Sequence, residues 1–233
     1  MRAWLLVVGL AGCRGFFDVP PVSPDAAAPP DAPAMPIAYV QSAATSITSS
    51  SSATVGFPLA EHAGNTNLLV IGWAPGTLVS INDSNANTYT AATGPVQAAD
   101  GWTQQIYIAT NIVGGADTVN ATFSSGQAYA HFGIFEYSGI AGVDQSVGAI
   151  GTAGSPPMTT ALTTTSDHDL LFASLSAQNA INTTVVGMYT SRLSGQEYVM
   201  ADKEVTTAGS YSAITTANTQ ADWVMQLLAL RGQ

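Results

Sequence analysis

Carboxylates, imidazoles and indoles are the side chains in this sequence that could do chemistry, and their spacing limits what that chemistry could be. Glu136 falls late in the apolar run Tyr129 to Tyr137, on the alternating face of Phe132 and Ile134. A carboxyl held among apolar side chains is harder to ionise and can act as a general acid. Glu197, with Asp202 and Glu204 beyond it, would supply the second carboxylate that glycoside hydrolysis uses. The plainer reading of Glu136 is a lone buried carboxylate satisfied by backbone donors. Asp83, Asn85 and Asn87 put oxygen-bearing side chains at alternate positions, as a calcium loop does. Such a loop also wants Gly sixth and Glu twelfth, where this chain has Thr88 and Gly94. A hairpin turn stabilised by Asx side chains fits better.

Other constellations are weaker. In Asp167-His168-Asp169 neighbouring strand residues point to opposite faces, so a strand-entry turn is favoured over a metal site. No Gly-x-Ser-x-Gly nucleophile elbow occurs, and His62, His131 and His168 lack zinc-ligand spacing. No cofactor is expected. Trp73 and Trp102 are candidates for a sugar-stacking platform. Trp102, following Gly101 in a polar stretch, is expected to be the more exposed, and Trp223 to lie in the core. Aromatics in β domains more often pack than bind.

The elements that must position these residues are strands. Short apolar or alternating runs span 66–73, 102–109, 117–123, 129–137, 168–177, 196–205, 210–216 and 221–231. Glycine and asparagine clusters separate them, and no segment keeps a long helical period. The expected fold of residues 37–233 is all-β, a jelly-roll-like β-sandwich of two antiparallel sheets. Setting residue n against n+94 aligns Tyr129–Tyr137 with Trp223–Arg231 without a gap. Further upstream Leu68-Leu69-Val70 meets Leu170-Leu171-Phe172. Duplicated halves and two generic β halves of like composition both fit this pattern.

Ahead of that body, Met1-Arg2 and the apolar run at 3–12 have the make-up of a secretory signal. The run is about half the ~20 residues that cross a bilayer. Residues 18–36 are rich in Pro, Ala and Asp, which excludes helix and sheet and predicts an extended spacer. Leu10-Ala11-Gly12-Cys13 resembles the bacterial lipobox. That resemblance implies a signal peptide over 1–12, cleavage before Cys13, and a lipidated Cys13 heading the linker over 13–36. Cys13 is the only cysteine, so no disulfide competes for its thiol. Arg14 stands where inner-membrane retention signals carry Asp, which implies the outer membrane. The spacer looks like those of myxobacterial and related surface lipoproteins.

The body resembles an uncharacterised secreted β-sandwich module of large extracellular proteins from soil bacteria. The motifs are Asn67-Leu68-Leu69-Val70, Phe135-Glu136-Tyr137-Ser138-Gly139, Asp169-Leu170-Leu171-Phe172 and Trp223-Val224-Met225. They are turn and core signatures, so the resemblance implies a fold and a surface location and attaches no activity. Composition agrees: 46% of residues are hydrophobic, 9% are charged, and the net charge is −10. Only Arg192, Lys203 and Arg231 are basic in the body, which leaves no patch for nucleic acid. The expected function is a membrane-anchored, non-catalytic binding or adhesion module meeting glycan or another envelope component. The alternative is an extracellular polysaccharide hydrolase using Glu136 and Glu197.

Overall fold

A computed structural model describes residues 36–126, 128–181, 184–216 and 219–233. Cys13 and the linker up to residue 35 lie outside them. The first half of the body forms β1 (Ala38–Ser50), β2 (Ser52–Gly56), β3 (Thr66–Ala74), β4 (Leu78–Asp83), β5 (Thr90–Ala91), β6 (Val96–Gln97), β7 (Thr103–Thr110), β8 (Thr118–Phe123) and β9 (Ala128–Ser138). The second half forms β10 (Ile140–Gly151), β11 (Leu162–Thr163), β12 (Asp169–Ala177), β13 (Thr190–Ser194), β14 (Tyr198–Val205), β15 (Ser210–Tyr211) and β16 (Trp223–Gly232).

The all-β sandwich expected from the sequence is the fold, with more sheets than two. The first half builds one large sheet in the order β1-β9-β3-β7-β5, with β6 also on β7, and a small sheet β2-β8-β4. The second half repeats the plan with β10-β16-β12-β14-β13 and β11-β15. In each half the chain crosses repeatedly between its large and small sheet, and its last strand returns beside its first, as in a jelly roll.

Side-chain direction stacks these sheets in four layers. On β3, Leu68 and Val70 point inward to meet Phe135, Phe172, Leu228 and Leu230 between the two large sheets. The alternate residues Leu69, Ile71 and Trp73 face Val55, Val119, Ala121 and Phe123 of the small sheet. On β12, Leu171, Ala173 and Leu175 likewise turn outward to Leu162 and Ala213. All nine residues of β3 and all nine of β12 are buried, so neither strand needs a polar face. Each large apolar side chain so buried contributes about 1.5–3 kcal/mol.

The register repeats as well. Asn67 pairs with Glu136 on β9, and Asp169 pairs with Arg231 on β16. Each half's leading edge strand carries a bulge at the matching place, between Tyr39 and Gln41 on β1 and between Ile140 and Gly142 on β10. A polar network ties the halves together across the core. Gln104 donates to Gln226 Oε1 at 3.1 Å and accepts from Ser174 and Ser176 at 3.2 and 2.6 Å. Gln226 in turn donates to Thr93 Oγ1 at 2.9 Å and to the carbonyl of Gly94 at 3.0 Å.

Candidate functional site

Glu136 is fully buried and fully answered. Its carboxylate accepts from Gln41 Nε2 at 2.6 Å, the His62 backbone amide at 2.8 Å and Asn65 Nδ2 at 2.6 Å. The plainer reading of this residue therefore describes it, except that side-chain amides supply most of the donors. Glu197 does not join it. Glu197 Oε2 lies 3.3 Å from His131 Nε2, and His131 is five positions before Glu136 on β9. Five residues of strand span about 17 Å at ~3.4 Å each, and an odd offset places the two on opposite faces of the sheet. The Glu136–Glu197 pair that hydrolysis would need is not assembled.

The tryptophans correct the sequence reading too. Trp102 has no exposed surface. Its ring lies so close over Gly72 that a Cβ there would sit 2.5 Å from Cζ2, and its Nε1 donates to Ser176 Oγ at 2.8 Å. The polar stretch around Trp102 belongs to the turn before β7, while the ring turns into the sandwich. Trp73 is 5% exposed, packs 6.5 Å from Phe123 and donates to the carbonyl of Gly76 at 3.1 Å. Neither forms a sugar-stacking face, because both indoles complete cores. Trp223 is buried, as expected.

His131 sits beneath Trp102, Tyr129 and Tyr198, each ring 5.2–5.3 Å away. Burial lowers its pKa, against the pull of Glu197. Ser46, its cross-strand neighbour, approaches Nδ1 at 3.0 Å. Ser46, His131 and Glu197 thus stand in the order of a nucleophile, a base and an acid. The Glu197 contact lacks hydrogen-bond alignment, however, and the imidazole is sealed under three rings. It works as a capped core histidine.

Asp83, Asn85 and Asn87 build the turn that the sequence suggested, not a shared cation cage. Asp83 accepts from the Asn87 backbone, Asn87 Nδ2 and Tyr89 OH at 2.8–2.9 Å. Asn87 Oδ1 takes the Val113 amide at 2.8 Å, and the Asn85 amide points at Glu61 at 3.4 Å. Beside this turn lies a network that the sequence reading missed. Glu61 is 5% exposed, and burial pushes its pKa up to about 8, with Asp117 and Glu136 adding to the effect and a hydrogen bond from Asn67 opposing it.

In the second half Asp169 is 1% exposed, and burial together with Asp144 pushes its pKa up to about 6. Burial also disfavours the charge on Asp144, but the Thr165 donors outweigh it and hold that pKa below the usual range. Of the two, Asp169 therefore binds a proton more readily. Asp167-His168-Asp169 enters β12, as its reading as a strand-entry turn required.

The feature best suited to an external ligand lies where the edges of the two large sheets meet. Arg192 is the extra residue of a bulge on edge strand β13, between Ser191 and Leu193. Bulges re-aim side chains. This one sends the guanidinium over the Tyr39 ring of β1, 4.2 Å from its centroid. Arg192 Nε donates to Asp202 Oδ2 at 2.8 Å, and Tyr137 OH donates to the same oxygen at 2.7 Å. Tyr39 stands edge-on to Tyr137 at 5.8 Å. These residues line a cavity of about 330 Å³ with Lys203 and Met188. Met188 is 86% exposed and holds a left-handed backbone with φ of 67°. Such strain in a non-glycine residue concentrates at functional sites. From sequence, only the pairing of two of the body's three basic residues within eleven positions hinted at this place.

Comparison with protein-family models, curated proteins and solved structures found no match to this chain.

Proposed function

We propose that the chain is a lipid-anchored surface module of the bacterial envelope that binds glycan without catalysis, through the cavity between β1 and β13. The observation that carries this reading is Arg192, delivered by a bulge, stacked on Tyr39 and fixed by Asp202. The pairing sets an aromatic ring and a guanidinium beside acceptors held in place, which suits the CH groups and hydroxyls of a sugar. The charge selects among sugars. A net −10 repels polyanions at long range, and the Arg192–Asp202 pair is itself neutral, so the ligand is an uncharged saccharide.

Anchoring at Cys13 places the cavity at a surface rich in such polymers. Cys13→Ala is expected to move the protein from the membrane fraction to the soluble fraction, and retention on membranes would refute the anchor. For the cavity, the test is retention of the full chain on insoluble neutral polysaccharides. Wild type is expected to be retained, and Arg192→Ala and Tyr39→Ala to be released about tenfold or more. Equal retention of all three would overturn the site. Release of reducing sugar by wild type would overturn the non-catalytic reading.

A further inference from the structure

Residues 36–138 contain five carboxylates and no lysine or arginine. Four of the five, Glu61, Asp83, Asp117 and Glu136, gather around the starts of β3 and β8, and three of them are no more than 5% exposed. Burying uncompensated carboxylates is expensive. Asp83 and Glu136 meet that cost with donors on their oxygens, as described above. Glu61 and Asp117 meet it only in part, Glu61 through Asn67 at 2.6 Å and a long contact to Asn85 at 3.4 Å. Their carboxyls lie within hydrogen-bond reach of each other. Asp117 Oδ1 takes three donors, Ser84 N at 3.0 Å, Ser84 Oγ at 2.7 Å and Thr118 N at 2.7 Å. Among the described residues no donor reaches Asp117 Oδ2. Asn67 is wholly buried against the same group. Its Nδ2 donates to Glu61 Oε1 at 2.6 Å, while its Oδ1 also lacks a donor.

The other half shows what is missing. At the register positions of Asn67 and Glu136 it carries Asp169 and Arg231, and Arg231 favours the charge on Asp144 and Asp169. The first half has no such cation, only His62, whose exposed ring comes within 3.5 Å of Glu136.

We propose that Glu61, Asp117 and Asn67 form a Ca²⁺ site. Two carboxylates and an amide oxygen make an all-oxygen set, the choice of a hard cation. Among the described residues no three His, Cys, Asp or Glu side chains converge as a metal cage, so neutral oxygens must complete the coordination, which Ca²⁺ accepts readily. The scaffold is pre-formed, and turning the Asn67 amide over brings Oδ1 to the side where Nδ2 now meets Glu61. Glu61 exchanges both backbone hydrogen bonds with Gly115, at 2.8 and 3.0 Å, so the two ligand-bearing loops are already joined. Mg²⁺, which demands a tight octahedron and keeps its waters, fits such a buried set poorly. The site is independent of the Tyr39–Arg192 cavity.

The test is calcium titration of the full chain after EDTA treatment, by calorimetry and thermal melting. The expected result is one high-affinity Ca²⁺ per chain, a rise in melting temperature, and little response to Mg²⁺. Glu61→Gln and Asp117→Asn should each weaken binding about tenfold or more. Glu61→Gln keeps the shape of the side chain and cannot ionise, so it is expected to fold and keeps the comparison interpretable. Terbium gives a second readout. Tyr89 OH lies 3.2 Å from Asn67 Nδ2 and should sensitise bound Tb³⁺, so Tyr89→Phe should dim the emission and leave Ca²⁺ affinity in place. No calcium heat and no melting shift, or a shift undiminished in Glu61→Gln and Asp117→Asn, would overturn the assignment.

Discussion

Replacing Gln104 with Leu tests whether the polar network between the large sheets holds the halves together. Leu keeps much of the volume of Gln, so the cavity cost is small. The loss is of partners. Ser174 and Ser176 lose the Oε1 that accepts their hydroxyls, and Gln226 Oε1 loses the donor at 3.1 Å. Ser174, Ser176 and Gln226 are all no more than 1% exposed, so water does not replace what is lost. Stranding a buried polar group costs about 1–3 kcal/mol. Hydroxyl rotation recovers part of that for the serines, so the sum is about 3–5 kcal/mol, a large share of the ~5–15 kcal/mol that holds a typical domain. With a urea slope of ~2–3 kcal/mol/M, the unfolding midpoint of the full chain should fall by about 1–2 M. Gln226→Leu added to Gln104→Leu should cost less than the sum of the single changes, because Gln226 Oε1 is no longer stranded. A fall under about 0.3 M, or strictly additive costs, would refute this account of the interface.

Gly72→Ala should destabilise the protein by about 1–3 kcal/mol, since the added Cβ meets the fixed ring of Trp102 at 2.5 Å; an unchanged melting temperature would contradict the packing. Asp169 gives a pH dependence. Its folded pKa of about 6 exceeds the ordinary 3.8, so the folded state binds the proton more tightly. The resulting stability is complete below pH ~4 and is lost as pH rises through about 6. The partly open position of Asp144 holds the effect to about 1–2 kcal/mol. Asp169→Asn supplies a permanent donor to Asp144 and should flatten that part of the urea-midpoint profile; a variant with the wild-type slope would show that another group titrates.

The runs at 66–73, 129–137, 168–177 and 221–231 could be read as strands because both of their faces are buried, which writes the fold into their apolar content. β1 and β10 were not legible. Both are edge strands rich in Ser, Thr, Gly and Ala, with many half-exposed positions, and only their pairing with β9 and β16 makes them strands. That the strands at 129–137 and 223–231 correspond could be seen in the sequence, but the structure pairs them one residue away from the n+94 alignment, with Arg231 rather than Leu230 at the place of Glu136. That each half follows a jelly-roll-like order could not, since β4 and β11 carry little apolar signal of their own. Glu136 was legible as buried, because it sits in phase with Phe132 and Ile134. Trp102 was misread because a polar neighbourhood says nothing of where the ring turns. The Tyr39–Arg192 contact joins residues 153 positions apart through a bulge, a local slip in register that composition does not encode.

Ligand binding at the cavity between β1 and β13 is the central proposal. The direct measurement is chemical-shift mapping of the full chain titrated with a neutral oligosaccharide taken from a retained polymer. The expected result is saturable shifts of Tyr39, Arg192 and Lys203 that vanish in Arg192→Ala. Shifts confined to another face, or none up to millimolar ligand, would contradict it.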